Sequence, residues 1–213
     1  MTDIFMFGLQ GCGKGTQAKI LAKKFDFKIF ETGKELRKIA RTNSSLGKKI
    51  AKIQSLGNLV PDRIVLDLVA DFISKHSAKD RFIFDGIPRK EIQRQGLEKL
   101  LQKNSRDFTV IEIQISRSLC LSRLLSRGKC QTCDQIMSGK QCPNCGSTKI
   151  IRRADDNREN IQKRIANYFA QTAPLLQKWQ TRKKVISING QQSVTEVEAE
   201  ITKSLQKANL LTI

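Results

Sequence analysis

Nine residues near the N-terminus, Gly8 to Thr16 (GLQGCGKGT), restrict the possible folds of this chain more than any other stretch. An apolar run, Ile4 to Phe7, precedes them and an amphipathic segment, Gln17 to Phe25, follows, so they read as the loop between a buried strand and a helix. Gly8, Gly11 and Gly13 let the backbone turn tightly and aim successive amide hydrogens into one concavity, where the helix dipole adds positive potential. Such a nest suits a polyphosphate, and Lys14 adds a full charge for the β- and γ-phosphates. Phosphate-binding loops of the strict pattern place Ser or Thr directly after the lysine. Here Gly15 intervenes before Thr16, so direct magnesium ligation by a hydroxyl is not expected at that position.

With 213 residues, 39% of them hydrophobic, the chain has material for one sizeable core with small insertions. Lysine and arginine total 39 against 20 acidic residues, a formal net charge of +19, which favours anionic partners such as nucleotides, RNA or acidic membrane surfaces. Solvated, lysine-rich helix faces are the simpler account of that excess than a nucleic-acid groove. Asp3, a short apolar run and no small-residue cleavage site make the N-terminus a first strand and not a signal peptide. No stretch approaches the ~18 apolar residues of a membrane span. A cytoplasmic protein without membrane contact is expected.

Short β-rich runs recur at Asp3 to Phe7, Lys28 to Glu31, Arg81 to Asp85, Thr109 to Ile115 and Lys184 to Ile188. Helical stretches separate them, which predicts an α/β fold: a parallel five-stranded sheet with helices on both faces. Two stretches interrupt the rhythm. A helical insert runs over 32–61 and a cysteine-bearing insert over 128–153, leaving 1–31, 62–127 and 154–213 as the core.

The chemistry-bearing residues cluster at strand ends and in these inserts. Thr32-Gly33 follows the second strand, with Arg37 a turn further on; taken alone, Thr32 is as well explained as an N-cap. The third strand ends in Asp85-Gly86-Ile87-Pro88-Arg89, where a carboxylate suits the water shell of a phosphate-bound magnesium as well as it suits a turn. Of the six cysteines, Cys12 and Cys120 are isolated and read as small buried hydrophobes. Cys130, Cys133, Cys142 and Cys145 form two CxxC pairs, which fit tetrahedral thiolate zinc better than disulfides, redox chemistry or an iron–sulfur site. A set filled by four cysteines leaves no open position for catalysis, so the zinc is expected to fold its insert. The sole histidine, His76, lies outside every motif and reads as structural or exposed.

The loop variant GxxGxGKGTQA resembles that of adenylate kinases, members of the P-loop NTPase-like folds, with Gln10 in place of the family's usual proline. The runs ETGKELR, LGKKI and LGNLVPD resemble the family's monophosphate-binding subdomain, with Lys34 where the family usually has Asp. DGIPR is similar to the family's DGFPR, with Ile87 for Phe, and Gln93 falls at the place of its downstream glutamine. LxxRLxxRG before the cysteine insert and RRADDNRENIQKR after it resemble the phosphate-binding arginines and the acids that orient them, here Asp155 and Asp156. Gln171-Thr172-Ala173-Pro174 and the stretch Asn189 to Gln192 extend the resemblance over nearly the whole chain, and several members carry a similar zinc-bearing lid.

The resemblance implies ATP contacts at Gly11, Cys12, Gly13, Lys14, Gly15, Thr16, Arg123, Arg127 and Gln192. It implies AMP contacts at Thr32, Gly33, Arg37, Val60, Gly86, Arg89, Gln93, Arg153 and Arg164. Gln93 would read adenine, since an amide both donates to and accepts from that base's edge, and Arg37 and Arg89 would clamp the phosphate with planar guanidinium forks. Lys14, Asp85, Arg89, Arg123, Arg127, Arg153 and Arg164 would serve the transfer itself. Phosphoryl transfer requires neutralising an anionic transition state, so magnesium, lysine and arginines are expected and a nucleophilic side chain is not. The expected reaction is ATP plus AMP giving two ADP, reversibly, by a monomer. Two alternatives stay open at this point: a kinase of another nucleoside monophosphate, and a basic zinc-ribbon protein that binds RNA with a secondary nucleotide site. Residues 130–150 hold no aromatic for base stacking, which weighs against the second.

Overall fold

The structure, a computed structural model, describes residues 1–153 and 156–211. Strand β1 (Thr2–Phe7) leads through the glycine-rich loop into α1 (Lys14–Phe25) and β2 (Phe27–Glu31). Helices α2 (Thr32–Ala40) and α3 (Ser45–Ser55) follow, then α4 (Asp62–Ser74), β3 (Arg81–Asp85), α5 (Glu91–Lys103) and β4 (Asp107–Gln114). Helix α6 (Arg117–Ser126) enters a small antiparallel sheet of β5 (Arg127–Cys130), β6 (Ile136–Ser138) and β7 (Ile150–Ile151). The chain returns through α7 (Arg158–Asn167), a π-helical turn (Tyr168–Thr172), α8 (Pro174–Gln180), β8 (Val185–Asn189) and α9 (Val194–Lys207).

The large sheet has the order β2-β3-β1-β4-β8, every neighbouring pair parallel. The predicted five-strand parallel sheet is thus present, with strand ends displaced by one or two residues from those read off the sequence. β1 lies beside β3, and the chain leaves β1 through α1 on one face of the sheet and β3 through α5 on the other, so the loops at their C-terminal ends part to form a crevice. The glycine-rich loop lies at that crevice.

Alternation along β1 explains how one sheet serves two cores. Phe5 and Phe7 face a cluster with Phe84, Phe108, Val110 and Trp179, while Ile4 and Met6 face Leu21, Ile83, Ile111 and Ile201 beneath α1 and α9. Phe5 stacks on Phe108 with ring centroids 4.5 Å apart. At the opposite end of the sheet from the crevice, buried Asp3 accepts from Arg106 at 2.7 Å through each oxygen and from the Phe82 amide at 2.9 Å. These bonds tie β1, β3 and the entry to β4 where no ligand is expected. His76 packs against Phe72, ring centroids 4.3 Å apart, remote from the crevice, in keeping with a structural role. Among the described residues no helix is long and apolar enough to cross a membrane.

Candidate functional site

The loop after β1 takes the strained form its glycines permit. Gly8, Gly11 and Gly13 have φ of 130°, 80° and 106°, a region costly for any residue with a Cβ. Gly13 is the last residue before α1, so the helix begins at Lys14 with its first amides facing the crevice. Lys14 Nζ donates to the carbonyls of Gly8 at 2.8 Å and Leu9 at 2.9 Å, folding the ammonium group over the loop. Arg123 on α6 leans onto the same loop, its Nη1 3.5 Å from the Gly11 carbonyl.

Position 15 lies close to two carboxylates. A Cβ on Gly15 would lie 3.3 Å from Asp85 Oδ2 and 3.7 Å from Glu31 Oε1, so the bare backbone leaves room for two carboxylates. Register pairs Glu31 with Asp85 at the ends of β2 and β3. Burial pushes the Asp85 pKa above the ordinary carboxylate value, Lys14 opposes the shift and Glu31 adds to it. Hard carboxylate oxygens beside a phosphate nest fit a magnesium ion carried in with its waters.

Beside the loop opens a cleft. Thr32, Gly33, Arg37, Val60, Gly86, Arg89, Gln93, Arg153 and Arg164 all line it, which brings together every residue expected to contact AMP. Two of its arginines lie against glycines. A Cβ on Gly33 would sit 3.0 Å from Arg37 Nη1, and one on Gly86, whose φ is +83°, would sit 3.1 Å from Arg89 Nη2. Arg89 is held further by donating from Nε to the Gly86 carbonyl at 2.9 Å. Burial lowers its pKa from the ordinary value, Asp85 opposes that, and Arg164 and Arg37 reinforce it. The Thr32 hydroxyl is buried with no hydrogen-bond partner among the described residues, an orphan that a ligand in the cleft can satisfy.

Gln93 is more engaged than the sequence suggests. Its Oε1 accepts from the Arg89 amide and its Nε2 donates to Asp62 Oδ1, both at 2.8 Å. An amide has a second N–H and a second lone pair, and those are what remain for a base.

Arginines from both ends of the small sheet converge on Asp156. Arg127 makes three contacts with its carboxylate at 2.6 to 2.8 Å, and Arg164 Nη1 lies 3.1 Å from Oδ1. Asp156 thus accepts from both arginines, whereas Asp155 lies outside the described residues. Gln192 stands apart: its amide donates to Glu200 on α9 at 3.2 Å, and it does not line the cleft.

The four expected cysteines gather at one point. Their Sγ atoms lie within 4.8 Å of one another, and two pairs, Cys130 with Cys145 and Cys133 with Cys142, are 3.5 Å apart. Tetrahedral zinc with Zn–S bonds of about 2.3 Å puts its sulfurs about 3.8 Å apart, so the residues fit a zinc ion. The two knuckles are near copies. The Cys130 amide donates to Gln135 and accepts at its carbonyl from Asp134, and Cys142 does the same with Ser147 and Gly146. Asp134 and Gly146 occupy equivalent places, with φ of 61° and 70°.

Three contributors were not named among the candidate site residues. Glu31 reaches the loop only through strand register, Asp62 through its bond to Gln93, and Thr172 through its hydroxyl, which donates to the Arg89 carbonyl at 2.9 Å. The sequence did carry a signal for all three, since Glu31, Asp62 and Thr172 stand in runs that resemble the family, ETGKELR, LGNLVPD and QTAP.

A family model described as adenylate kinase matches residues 6–184. The chain is 32% identical over 211 residues to the adenylate kinase of Alkaliphilus oremlandii, covering 95% of this chain and 97% of that one. It is 34% identical to that of Caldanaerobacter subterraneus subsp. tengcongensis over 95% of each chain. With the adenylate kinase of Caldicellulosiruptor bescii the identity is 33%, over 95% of this chain and 98% of the other.

Proposed function

This chain belongs to the adenylate kinase family, whose general activity is reversible phosphoryl transfer between adenine nucleotides, and on that premise we propose how its own residues perform the reaction. The observation that carries the reading is the abutment of a glycine-rich phosphate nest, with Lys14 and Asp85, on a cleft lined by Arg37, Arg89, Arg127, Arg153 and Arg164.

The donor is ATP, its phosphates held by the amides from Gly11 to Thr16 and by Lys14, with Arg123 above them. Asp85, assisted by Glu31, would hold the water shell of the magnesium carried with ATP, which would supply positive charge to the phosphates. The acceptor is AMP, its base beside Gln93 and Val60 and its phosphate between Arg37 and Arg89. An oxygen of that phosphate attacks the γ-phosphorus, the bond from this phosphorus to the β–γ bridging oxygen breaks, and the electron pair leaves with ADP. A monophosphate with a second pKa near ~6 is largely dianionic at neutral pH, so no general base is needed. Arg89, Arg127, Arg153 and Arg164 stabilise the charge spread over the oxygens in flight. Water is the competing acceptor, and the segments 32–61 and 128–153 close over the cleft to exclude it.

Cys130, Cys133, Cys142 and Cys145 would hold a zinc ion that would keep the small sheet folded and take no part in transfer. The protein works as a monomer in the cytoplasm, where these thiols stay reduced; a single chain supplies every group named above.

The test is product analysis after mixing the protein with Mg·ATP and, separately, AMP, CMP, UMP or GMP, with Lys14→Ala as control. Rapid ADP formation with AMP, reduced by a factor on the order of a hundred or more in the control, is expected. Transfer to a different monophosphate would overturn the assignment of Gln93 as adenine reader while keeping the chemistry. Failure to transfer to any acceptor, by folded protein that binds ATP, would overturn the mechanism.

A further inference from the structure

Gln10 is the only residue of the glycine-rich loop that lines the acceptor cleft, among the described residues. It therefore stands where the donor's phosphates meet the acceptor's. Its backbone is anchored, since its carbonyl accepts from the Cys120 thiol on α6 at 2.9 Å. Its side-chain Oε1 is buried and has no hydrogen-bond partner among the described residues. A buried amide oxygen left in this state costs free energy that a contact made during function can recover.

Resting on the transfer reaction assigned above, we propose that the Gln10 carboxamide is a further catalytic group. Its Nε2–H donates to an oxygen of the phosphoryl group as that group passes between nucleotides, and Oε1 accepts from a guanidinium of the cleft. Arg127 is the fitting partner. It lines the same cleft and binds Asp156 through Nε and Nη2, and no contact with Asp156 uses its Nη1. The amide thus bridges the moving phosphoryl group to the arginine cluster without adding charge. A donor aimed at the position of a group in flight acts on the transition state and not on either bound nucleotide, so its removal lowers kcat and leaves KM in place.

The experiment compares steady-state kinetics of the unsubstituted protein with Gln10→Leu, which keeps the volume and removes both hydrogen-bonding functions, and with Gln10→Pro. Melting temperature and ADP binding check that each variant is folded. The expected result is a kcat lowered by roughly tenfold to a hundredfold in both variants, with KM for ATP and AMP within about twofold of the unsubstituted value. Gln10→Asn, which retains an amide on a shorter stem, should recover part of the loss. Equal kcat in the unsubstituted protein and a folded Leu or Pro variant would overturn the proposal and leave the functional reading intact. A loss confined to KM would overturn it as well. Absence of transfer by the unsubstituted protein would overturn the functional reading, and this proposal with it.

Discussion

The Arg127 guanidinium lies against the Asp156 carboxylate, with Nε 2.8 Å from Oδ2 and Nη2 2.8 Å from Oδ1 and 2.6 Å from Oδ2. The two residues flank the cysteine-bearing sheet, 29 positions apart in the chain, and Arg164 joins them from α7. One carboxylate, its side chain only 4% exposed, therefore sets the direction of two guanidiniums that line the cleft.

Asp156→Asn keeps the shape and removes the charge that aligns both arginines. The expected outcome is a kcat lowered by about tenfold to a hundredfold, since a misplacement of about 1 Å can have an effect of that size. Melting temperature should change little by comparison. Unaltered kcat in steady-state assays would show that the pair does not position the reacting groups.

Gly86→Ala tests the seat of Arg89. The substitution puts a Cβ at φ +83°, 3.1 Å from Arg89 Nη2, so both the backbone and the guanidinium must shift. A stability loss of about 1–3 kcal/mol in denaturant unfolding is expected from the backbone strain. KM for AMP should rise several-fold while KM for ATP stays, because Arg89 faces the acceptor cleft.

Metal removal distinguishes the two sheets. Protein purified without added metal is expected to carry about one zinc per chain. Chelation, or Cys142→Ser, should abolish hydrogen-exchange protection in 127–151 and leave β1, β3 and β4 protected, since the aromatic and aliphatic cores beneath them do not depend on the cysteines. Full protection of 127–151 in metal-free protein would sink the zinc assignment.

The acid limb of stability is expected to involve Glu91. Its hydrogen bond from Arg94 holds the carboxyl pKa down at about 2, against an ordinary 4.5. A depressed carboxylate contributes its full stabilisation above pH 4.5 and loses it as pH falls toward 2. Its side chain is 35% exposed, so solvent screening limits the contribution to less than about 1 kcal/mol. Glu91→Gln should melt slightly lower than the unsubstituted protein at pH 6, with the difference closing between about pH 4.5 and 2. A difference that persists at pH 2 would assign the effect to packing instead.

Much of the site was legible because its residues sit in short runs whose spacing has local meaning. GLQGCGKGT announces its nest through three glycines, and the structure gives each of them a positive φ. CxxC pairs have the turn geometry that suits metal knuckles, and the four sulfurs converge within 4.8 Å of one another. Gln93 was the less complete reading. Its helix and its place in the cleft were anticipated, but the bonds that occupy it come from Asp62, 31 residues away, and from the backbone of Arg89. Glu31 opened a run that resembles the family, ETGKELR, but its place beside Asp85 was not legible, since only strand register pairs the two.

By itself, then, the sequence determined the alternation of strands and helices, the phosphate-binding loop, the thiolate cluster and the family. Each of these follows from side-chain periodicity or from backbone conformations that a few neighbouring residues impose. The tertiary structure alone decided that Asp156 would hold Arg127 and Arg164 together, that Glu31 would stand beside Asp85 at Gly15, and that Gln10 would bury an oxygen without a partner among the described residues at the edge of the cleft. Those relations join segments distant along the chain. They are set by sheet order, by strand register and by how closely packed helices can approach, none of which is written in any one segment.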